Sequence, residues 1–333
     1  MSAPAKTSSS RAVDRDPKGA IRLCLALLLA FAALAPLRLD SYGFEIGFRL
    51  FVYVVLAEAW NLLAGYGGIV SLGSASFVGV GGYVLVGTLN RPGAPFVLAW
   101  LLAGLAGACL ALLVSPAVFR LRGIYFTVGT LALSEALRLF MVNVSWFGGA
   151  TGVFLQNNAP PTHVLYFYAL GLFALTTLVV SFYTDSRLSI LLRSVRDDQD
   201  AASQLGVRAF RVKLAAFMLA SFLMACAGAL QAYNLGAVEP YGMFGLQWSI
   251  DVLAIVVIGG LGQRLGPIVG TIFIVALGEW LANFPELHIA ITGLILILVV
   301  RFAPKGLVGL FTSATKLLFA ARAWGHKAQD VGR

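Results

Sequence analysis

Ten runs of apolar side chains leave this chain with one class of fold, because most are close to the ~20 residues that carry a helix across a bilayer. They cover residues 21–38, 47–64, 71–90, 95–118, 123–142, 163–182, 214–234, 248–262, 266–283 and 287–302. Inside a bilayer every main-chain N–H and C=O must be satisfied within the protein, which helices and closed barrels alone achieve. Runs of this length and continuity predict helices. The expected fold is all-α: a polytopic membrane helix bundle of about ten transmembrane helices over residues 21–311, between a disordered tail at 1–20 and a second tail at 312–333. Composition agrees, since 59% of the residues are hydrophobic and 12% charged, against roughly 25% charged in soluble domains. The net charge of +9 suits basic loops on the cytoplasmic side of a membrane rather than a nucleic-acid surface.

The distribution of lysine and arginine orients the bundle. With the amino terminus inside, Lys6, Arg11, Arg15, Lys18 and Arg22, then Arg120 and Arg122, the bases of the 183–213 loop, Arg264, and Arg301, Lys305, Lys316, Arg322, Lys327 and Arg333 all fall on the cytoplasmic side. Arg38, Arg49 and Arg91 fall on or near the other, and Arg138 lies within a run. This excess of cytoplasmic bases predicts both termini inside, and removing one span would put either the long loop or the C-terminal tail on the wrong side for its charge. Leu23–Leu37 also resembles a signal-peptide core, with Ala33-Leu34-Ala35 as a cleavage site, but the reading taken is an uncleaved first span. Cys24, Cys109 and Cys226 are far apart in apolar runs, with neither disulfide nor metal spacing, and are expected to be small buried hydrophobes.

One polar island interrupts the pattern. The loop 183–213 carries Arg187, Arg193, Arg196, Arg208, Arg211 and Lys213, a compact acidic group of Asp197, Asp198 and Asp200, and a short helical signal from Ala201 to Gly206. A basic internal loop with helical character is expected to dock a cytoplasmic partner. On the opposite side the loop 143–162, glycine-rich and aromatic around Trp146 and Phe147, is expected to fold back on the membrane surface, as a contact for a partner or substrate or as an interfacial anchor.

Glycine concentrates in two segments, Gly65–Tyr83 and Gly259–Gly270. In the first, Gly73, Ser76, Gly79 and Gly82 recur every three residues, a smooth helix face that lets backbones approach closely. Two readings stay open: close helix packing, or helices broken at matched positions beside a substrate path. Neither segment has the Gly-x-x-x-x-Gly-Lys-Ser/Thr pattern, so the chain lacks the usual nucleotide site. Polar residues near the first segment, Asn61, Ser71, Ser74 and Tyr83, are the candidate translocation-path residues. Ionisable residues inside spans are Glu58, Glu135, Arg138, Asp251 and Glu279, each of which needs a partner or water. Glu135 and Arg138, three apart on one helix, can pair with each other.

Taken together, three segments resemble the permease subunits of ATP-binding-cassette importers for branched-chain amino acids, of the LivM type. They are Asn61–Gly68 continuing through Ser71-Leu72-Gly73 to Phe77–Tyr83; Arg193–Ala202 through Leu205-Gly206-Val207; and Gly259–Gly262 with Gly266–Gly270, followed by Arg301–Leu307. Arg122–Phe126 and Gly148–Gly152 fit the same pattern, so the resemblance runs from about residue 47 to 311. The departures are Gln199 and Ser203, where acidic residues are expected. The resemblance implies a multi-pass subunit of the bacterial inner membrane that works with a second related permease (LivH type), two cytoplasmic ATPase subunits and a periplasmic substrate-binding protein. ATP and magnesium would belong to the ATPases, with no cofactor or chemistry in this chain. It also implies that residues 193–206, Ala201 among them, form the coupling helix, with Arg193, Arg196, Asp197, Asp198 and Asp200 giving polar contacts and register, and Leu205 and Gly206 an apolar face and helix stop. Leucine, isoleucine and valine are the expected substrates, with urea, short amides or aromatic acids as alternatives. The competing class is a stand-alone ion-coupled carrier or channel. A membrane enzyme is not expected, since the spans show no metal set or nucleophile–base pair.

Overall fold

The computed structural model describes residues 40–156, 160–282, 285–303 and 306–309, together with Leu25, Leu28 and Ala32. The expected first span at 21–38, apart from those three positions, and both tails lie outside the described residues. The chain divides into two units, Met1–Arg38 and Leu39–Arg333. The second is a helix bundle: α1 (Ser41–Asn61), α2 (Ser74–Leu89), α3 (Phe96–Val118), α4 (Ile124–Asn143), α5 (Thr162–Asp185), α6 (Arg187–Asp197), α7 (Gln199–Gln204), α8 (Ala209–Leu235), α9 (Pro240–Met243), α10 (Gln247–Gly259), α11 (Gly266–Trp280) and α12 (Pro285–Phe302). Every apolar run from residue 47 onward falls on one of these helices. Six stretches among the described residues are long and apolar enough to cross a membrane, and α2 and α11 are shorter apolar helices.

α8 runs through the middle of the bundle, its face from Ala216 to Ala232 buried almost throughout. Close approach to α2 and α3 explains its run of small residues. A Cβ added at Gly81 of α2 would stand 2.0 Å from the Ala225 carbonyl oxygen, and one at Gly228 of α8 would stand 2.3 Å from that of Val78. At Gly107 of α3 the corresponding neighbour is the Ser221 oxygen at 2.7 Å. Backbones this close gain dispersion contacts that larger side chains would forbid. The three-residue stripe on α2 works the same way toward α9, where Gly79 faces the Phe244 ring and Gly82 the Met243 methyl. At Ser76 the stripe instead meets Ser134 of α4, hydroxyl to hydroxyl at 2.8 Å.

Between α1 and α2 the helix truly breaks. α1 widens into a π-turn at Leu62–Tyr66 and then gives way to non-helical chain at 68–73. Non-helical backbone at membrane depth survives only if protein satisfies its polar groups, and here side chains of three helices do so. Trp60 Nε1 donates to the Ser71 oxygen at 2.7 Å, and Thr127 Oγ1 to the Val70 oxygen at 2.8 Å. The Leu72 N–H donates to Thr130 Oγ1 at 3.0 Å, while Ser249 Oγ donates to the Leu72 oxygen at 2.8 Å. The first glycine segment thus holds a helix break before Gly73 and close packing after it.

Within the loop expected at 143–162, residues 144–156 fold back on the bundle. Val153–Phe154 (β1) pairs antiparallel with Ala237–Val238 (β2), Val153 opposite Val238. Asn90 clasps the same loop, donating from Nδ2 to the Phe154 oxygen and accepting from the Gln156 N–H, both at 2.9 Å. Trp146 at its tip is 94% exposed. One expectation is corrected: Cys226 is buried, but Cys109 is exposed. It lies on the outward side of α3, and on a membrane helix that side is apolar too, so an apolar run does not imply burial within the protein.

Candidate coupling site

At one end of the bundle the polar island closes over the broken helix. α5 stops at Asp185, and Ser186 turns the chain into α6. α6 is amphipathic: Ser189, Leu192 and Val195 are buried at a spacing of three, which puts them on one face and leaves the bases to the other sides. Asp198 separates α6 from α7 and caps α7, its Oδ1 accepting from the Asp200 and Ala201 N–H groups at 2.9 and 3.0 Å. An aspartate serves here because its short side chain reaches the orphan donors of the first turn. α7 ends at Gln204; Gly206, at φ +85°, reverses the chain, and the Val207 N–H closes onto the Ala202 oxygen at 3.1 Å. Positive φ is what makes glycine the natural helix stop. Leu205, just before it, is 86% exposed.

Two arginines of α6 reach into the bundle. Arg196 Nη1 donates to the Gly65 carbonyl oxygen at 3.0 Å, and its Nε holds Asp197 Oδ1 at 2.9 Å. The Arg193 guanidinium lies over the Tyr66 ring, 4.9 Å from its centroid. Both targets belong to the π-turn of α1. The same turn is clamped from a second direction by the α10–α11 connection. Asn61 Oδ1 accepts from the Gly262 N–H at 2.8 Å, and Asn61 Nδ2 donates to the Gln263 oxygen at 3.1 Å. A Cβ on Gly65 would come within 2.6 Å of the Gly262 nitrogen, and one on Gly306 within 2.4 Å of the Gly260 Cα. Arg264 completes the joint by pairing with Asp185 and donating to Thr184 Oγ1 at 2.8 Å at the end of α5. Segments around residues 65, 196, 262 and 306, distant in sequence, thus meet at one place.

A cleft of about 460 Å³ opens beside this joint, between the α3–α4 turn and the α6–α7 corner. Arg122 on its rim reaches Asp200 at 3.4 Å, both largely exposed, and Lys213 Nζ donates to Gln199 Oε1 at 2.5 Å. Of the proposed coupling residues, Arg193, Arg196, Asp198 and Ala201 make contacts within the chain. Asp197 and Asp200 are exposed on the corner although Arg196 and Arg122 pair with them, and Leu205 is exposed beside them.

The candidate path residues are all buried: Asn61, Ser71, Ser74 and Tyr83. Asn61 makes the clamp just described, and Ser71 Oγ accepts from the Gly73 N–H at 3.1 Å. Ser74 Oγ and Tyr83 Oη have no hydrogen-bond partner among the described residues. The charges inside spans find partners the sequence could not supply. Thr177 Oγ1 of α5 donates to Glu58 at 3.0 Å, and Asp251 accepts from Tyr53 Oη at 3.2 Å and Gln247 Nε2 at 2.6 Å. Arg138 Nε holds Glu135 Oε2 at 2.9 Å, as their spacing allows, and its guanidinium also lies 4.8 Å from the centre of the Tyr241 ring. Sequence reasoning missed the Gly65 and Tyr66 targets and the Arg264–Asp185 pair. A solvated loop and a helix end carry no signal that they touch.

Residues 44–300 match the family described as branched-chain amino acid transport system / permease component. The chain belongs to that family. This permease is 27% identical to the high-affinity branched-chain amino acid transport system permease protein LivM of Salmonella typhimurium, over 92% of its own length and 79% of the relative's. To LivM of Escherichia coli K12 it is also 27% identical, over 89% and 77%. It is 30% identical to the autoinducer 2 import system permease protein LsrC of Klebsiella pneumoniae, over 55% and 54%. No solved structure matches the permease. Its family places it among multi-pass proteins of the bacterial inner membrane.

Proposed function

We propose that this permease is a transmembrane subunit of a binding-protein-dependent importer for branched-chain amino acids, moving substrate by alternating access that separate ATPase subunits drive. Its similarity to the two LivM proteins over most of both chains supports the substrate class. The observation that carries the mechanism is the Arg196–Gly65 contact, which fixes a surface helix to the main chain of a membrane helix where that helix is already unwound. A push on α6 and α7 is borne directly by α1 and, through Asn61, by the α10–α11 connection.

In this reading the end carrying the basic loop faces the cytoplasm, because its lysines and arginines stay there. Ten spans with both termini inside follow from the same charges, with the apolar run 21–38 counted as the first. Asp197, Asp200 and Leu205 present the corner to an ATPase groove, and a second permease subunit and a periplasmic binding protein complete the importer. ATP and magnesium are held by the ATPases.

The test is co-purification of the tagged chain from its own host in mild detergent. A second permease and two Walker-motif ATPases are expected to accompany it, and Leu205→Glu is expected to lose the ATPases while keeping the second permease. Leu205 is so exposed that this substitution spares the fold. Recovery of a homo-oligomer without ATPases would overturn the reading in favour of an ion-coupled carrier.

A further inference from the structure

At the opposite end of the bundle, α1, α10 and α11 diverge around a cavity of about 590 Å³. Its lining is mixed in a particular way. Arg49 of α1 and Glu279 of α11 form an ion pair, and Tyr42 Oη also bonds Glu279. Asp251 of α10, held by Tyr53 and Gln247, faces the same space. Glu45, one helical turn before Arg49, is exposed to it and has no ion pair or side-chain hydrogen bond among the described residues. The rest of the wall is aliphatic: Ile46, Ala254, Ile274, Val275 and Leu281.

We propose that this cavity is a binding site for the zwitterionic head and aliphatic side chain of the transported amino acid; the inference rests on the function proposed above. Three observations converge on that ligand. Charges of both signs stand a helical turn apart at the mouth of one cleft, so an ammonium can meet Glu45 and Asp251 while a carboxylate meets Arg49. The guanidinium has five donors, and one ion pair with Glu279 does not exhaust them. The apolar wall matches a branched hydrocarbon and gives nothing to a polar side chain. The volume lies in the range of small-molecule sites, roughly 300–1,000 Å³.

The position fits as well. The cavity lies between the helices that Asn61, Gly262 and Gln263 tie together at the other end. Motion imposed at the Arg196–Gly65 joint is therefore applied to the walls of this cleft, which binding and release of a substrate require. Under the orientation proposed above, the cleft opens toward the side where the binding protein delivers its load.

The experiment uses the assembled importer in nanodiscs, without binding protein, carrying a single reporter cysteine at Ala282→Cys on the rim after Cys24, Cys109 and Cys226 are replaced by Ser or Ala. The rate of maleimide labelling is followed with L-leucine, with leucinamide (no carboxylate) and with 4-methylpentanoate (no amine). Leucine is expected to slow labelling severalfold and the two half-ligands not to. Glu45→Gln, which breaks no ion pair or side-chain hydrogen bond among the described residues, is expected to weaken protection by about tenfold, the worth of one charged hydrogen bond. Equal protection by leucinamide would identify a cation site and overturn the proposal. So would labelling unaffected by leucine in a preparation that still transports with its binding protein. That second outcome leaves the importer reading standing, and an assembly that lacks ATPases would instead bring down the reading itself.

Discussion

Arg196 and Gly65, separated by 131 positions in sequence, are joined by a hydrogen bond of 3.0 Å from guanidinium to main-chain carbonyl. The acceptor is free to receive it because the π-turn has pulled this part of α1 out of regular α-helical pairing. The donor is fixed because Asp197 holds its Nε. A basic surface helix and a membrane helix become one mechanical element through that contact.

Removing the donor should uncouple them. A hydrogen bond from a charged group contributes about 1.5–3 kcal/mol, so Arg196→Ala should cut transport by roughly tenfold or more while ATPase subunits still co-purify. Arg196→Lys should recover little of this, since an ammonium on a flexible stem cannot hold Asp197 and the carbonyl together. Uptake of radiolabelled leucine, set beside the yield of ATPase, separates coupling from docking.

Glycine at position 65 is fixed by space. The Cβ of Gly65→Ala would meet the Gly262 nitrogen at 2.6 Å and Asn61 Oδ1 more closely still. Overpacking of this kind costs about 1–3 kcal/mol, and the expected result is a lower thermal-unfolding midpoint in detergent with reduced transport. Gly87→Ala, where an added Cβ meets nothing within 4 Å, is the control expected to leave both unchanged.

Asp198 caps α7 with two main-chain bonds, and loss of an N-cap costs about 1 kcal/mol. Asp198→Ala should fray the corner that carries Leu205 and weaken ATPase recovery, whereas Asp198→Asn should preserve it. Replacing Asp197 and Asp198 together with alanine should weaken docking and transport. Unchanged ATPase binding in that double variant would remove the corner from the interface.

Glu58 separates the importer from an ion-coupled carrier. It is buried, with Thr177 donating to it. In an ATP-driven permease its role is structural, so Glu58→Gln should transport near the wild-type rate. Thr177→Val, which leaves a buried acid without its donor, should lower stability by about 1–3 kcal/mol. Abolished transport in Glu58→Gln with intact assembly would point to ion coupling instead.

Sidedness is open to direct measurement. Trp146→Cys, on the exposed tip of the folded-back loop, is expected to react with a membrane-impermeant maleimide added to intact spheroplasts. Leu205→Cys is expected to react only after permeabilisation. A tag at residue 155 that proved cytoplasmic would refute ten spans with both termini inside.

The helices were legible because a bilayer imposes one rule on every span. Runs from 47–64 to 287–302 each became a helix, and the charges between them predicted which loops share an end. Loop 183–213 stood out for the same reason, as polar sequence that the membrane cannot explain. Gly206 is expected as a helix stop from the family resemblance, whereas the cap that Asp198 supplies to α7 comes from the structure. Asn61, Ser71 and Ser249 were not legible in this sense. Their roles depend on which carbonyl or N–H a broken helix leaves bare and which helix stands opposite.

By itself, then, the sequence determined an all-α membrane bundle and its polar corner, since these follow from short-range periodicity and the solvent the chain must meet, while it left the glycine segments open between close packing and a helix break. Only the tertiary structure decided that Gly65, Arg196, Gly262 and Gly306 form one joint, and that Glu45, Arg49, Asp251 and Glu279 share one cavity. Those meetings join residues separated by up to hundreds of positions. They depend on helix order, rotation and tilt, which side-chain packing sets and linear spacing does not.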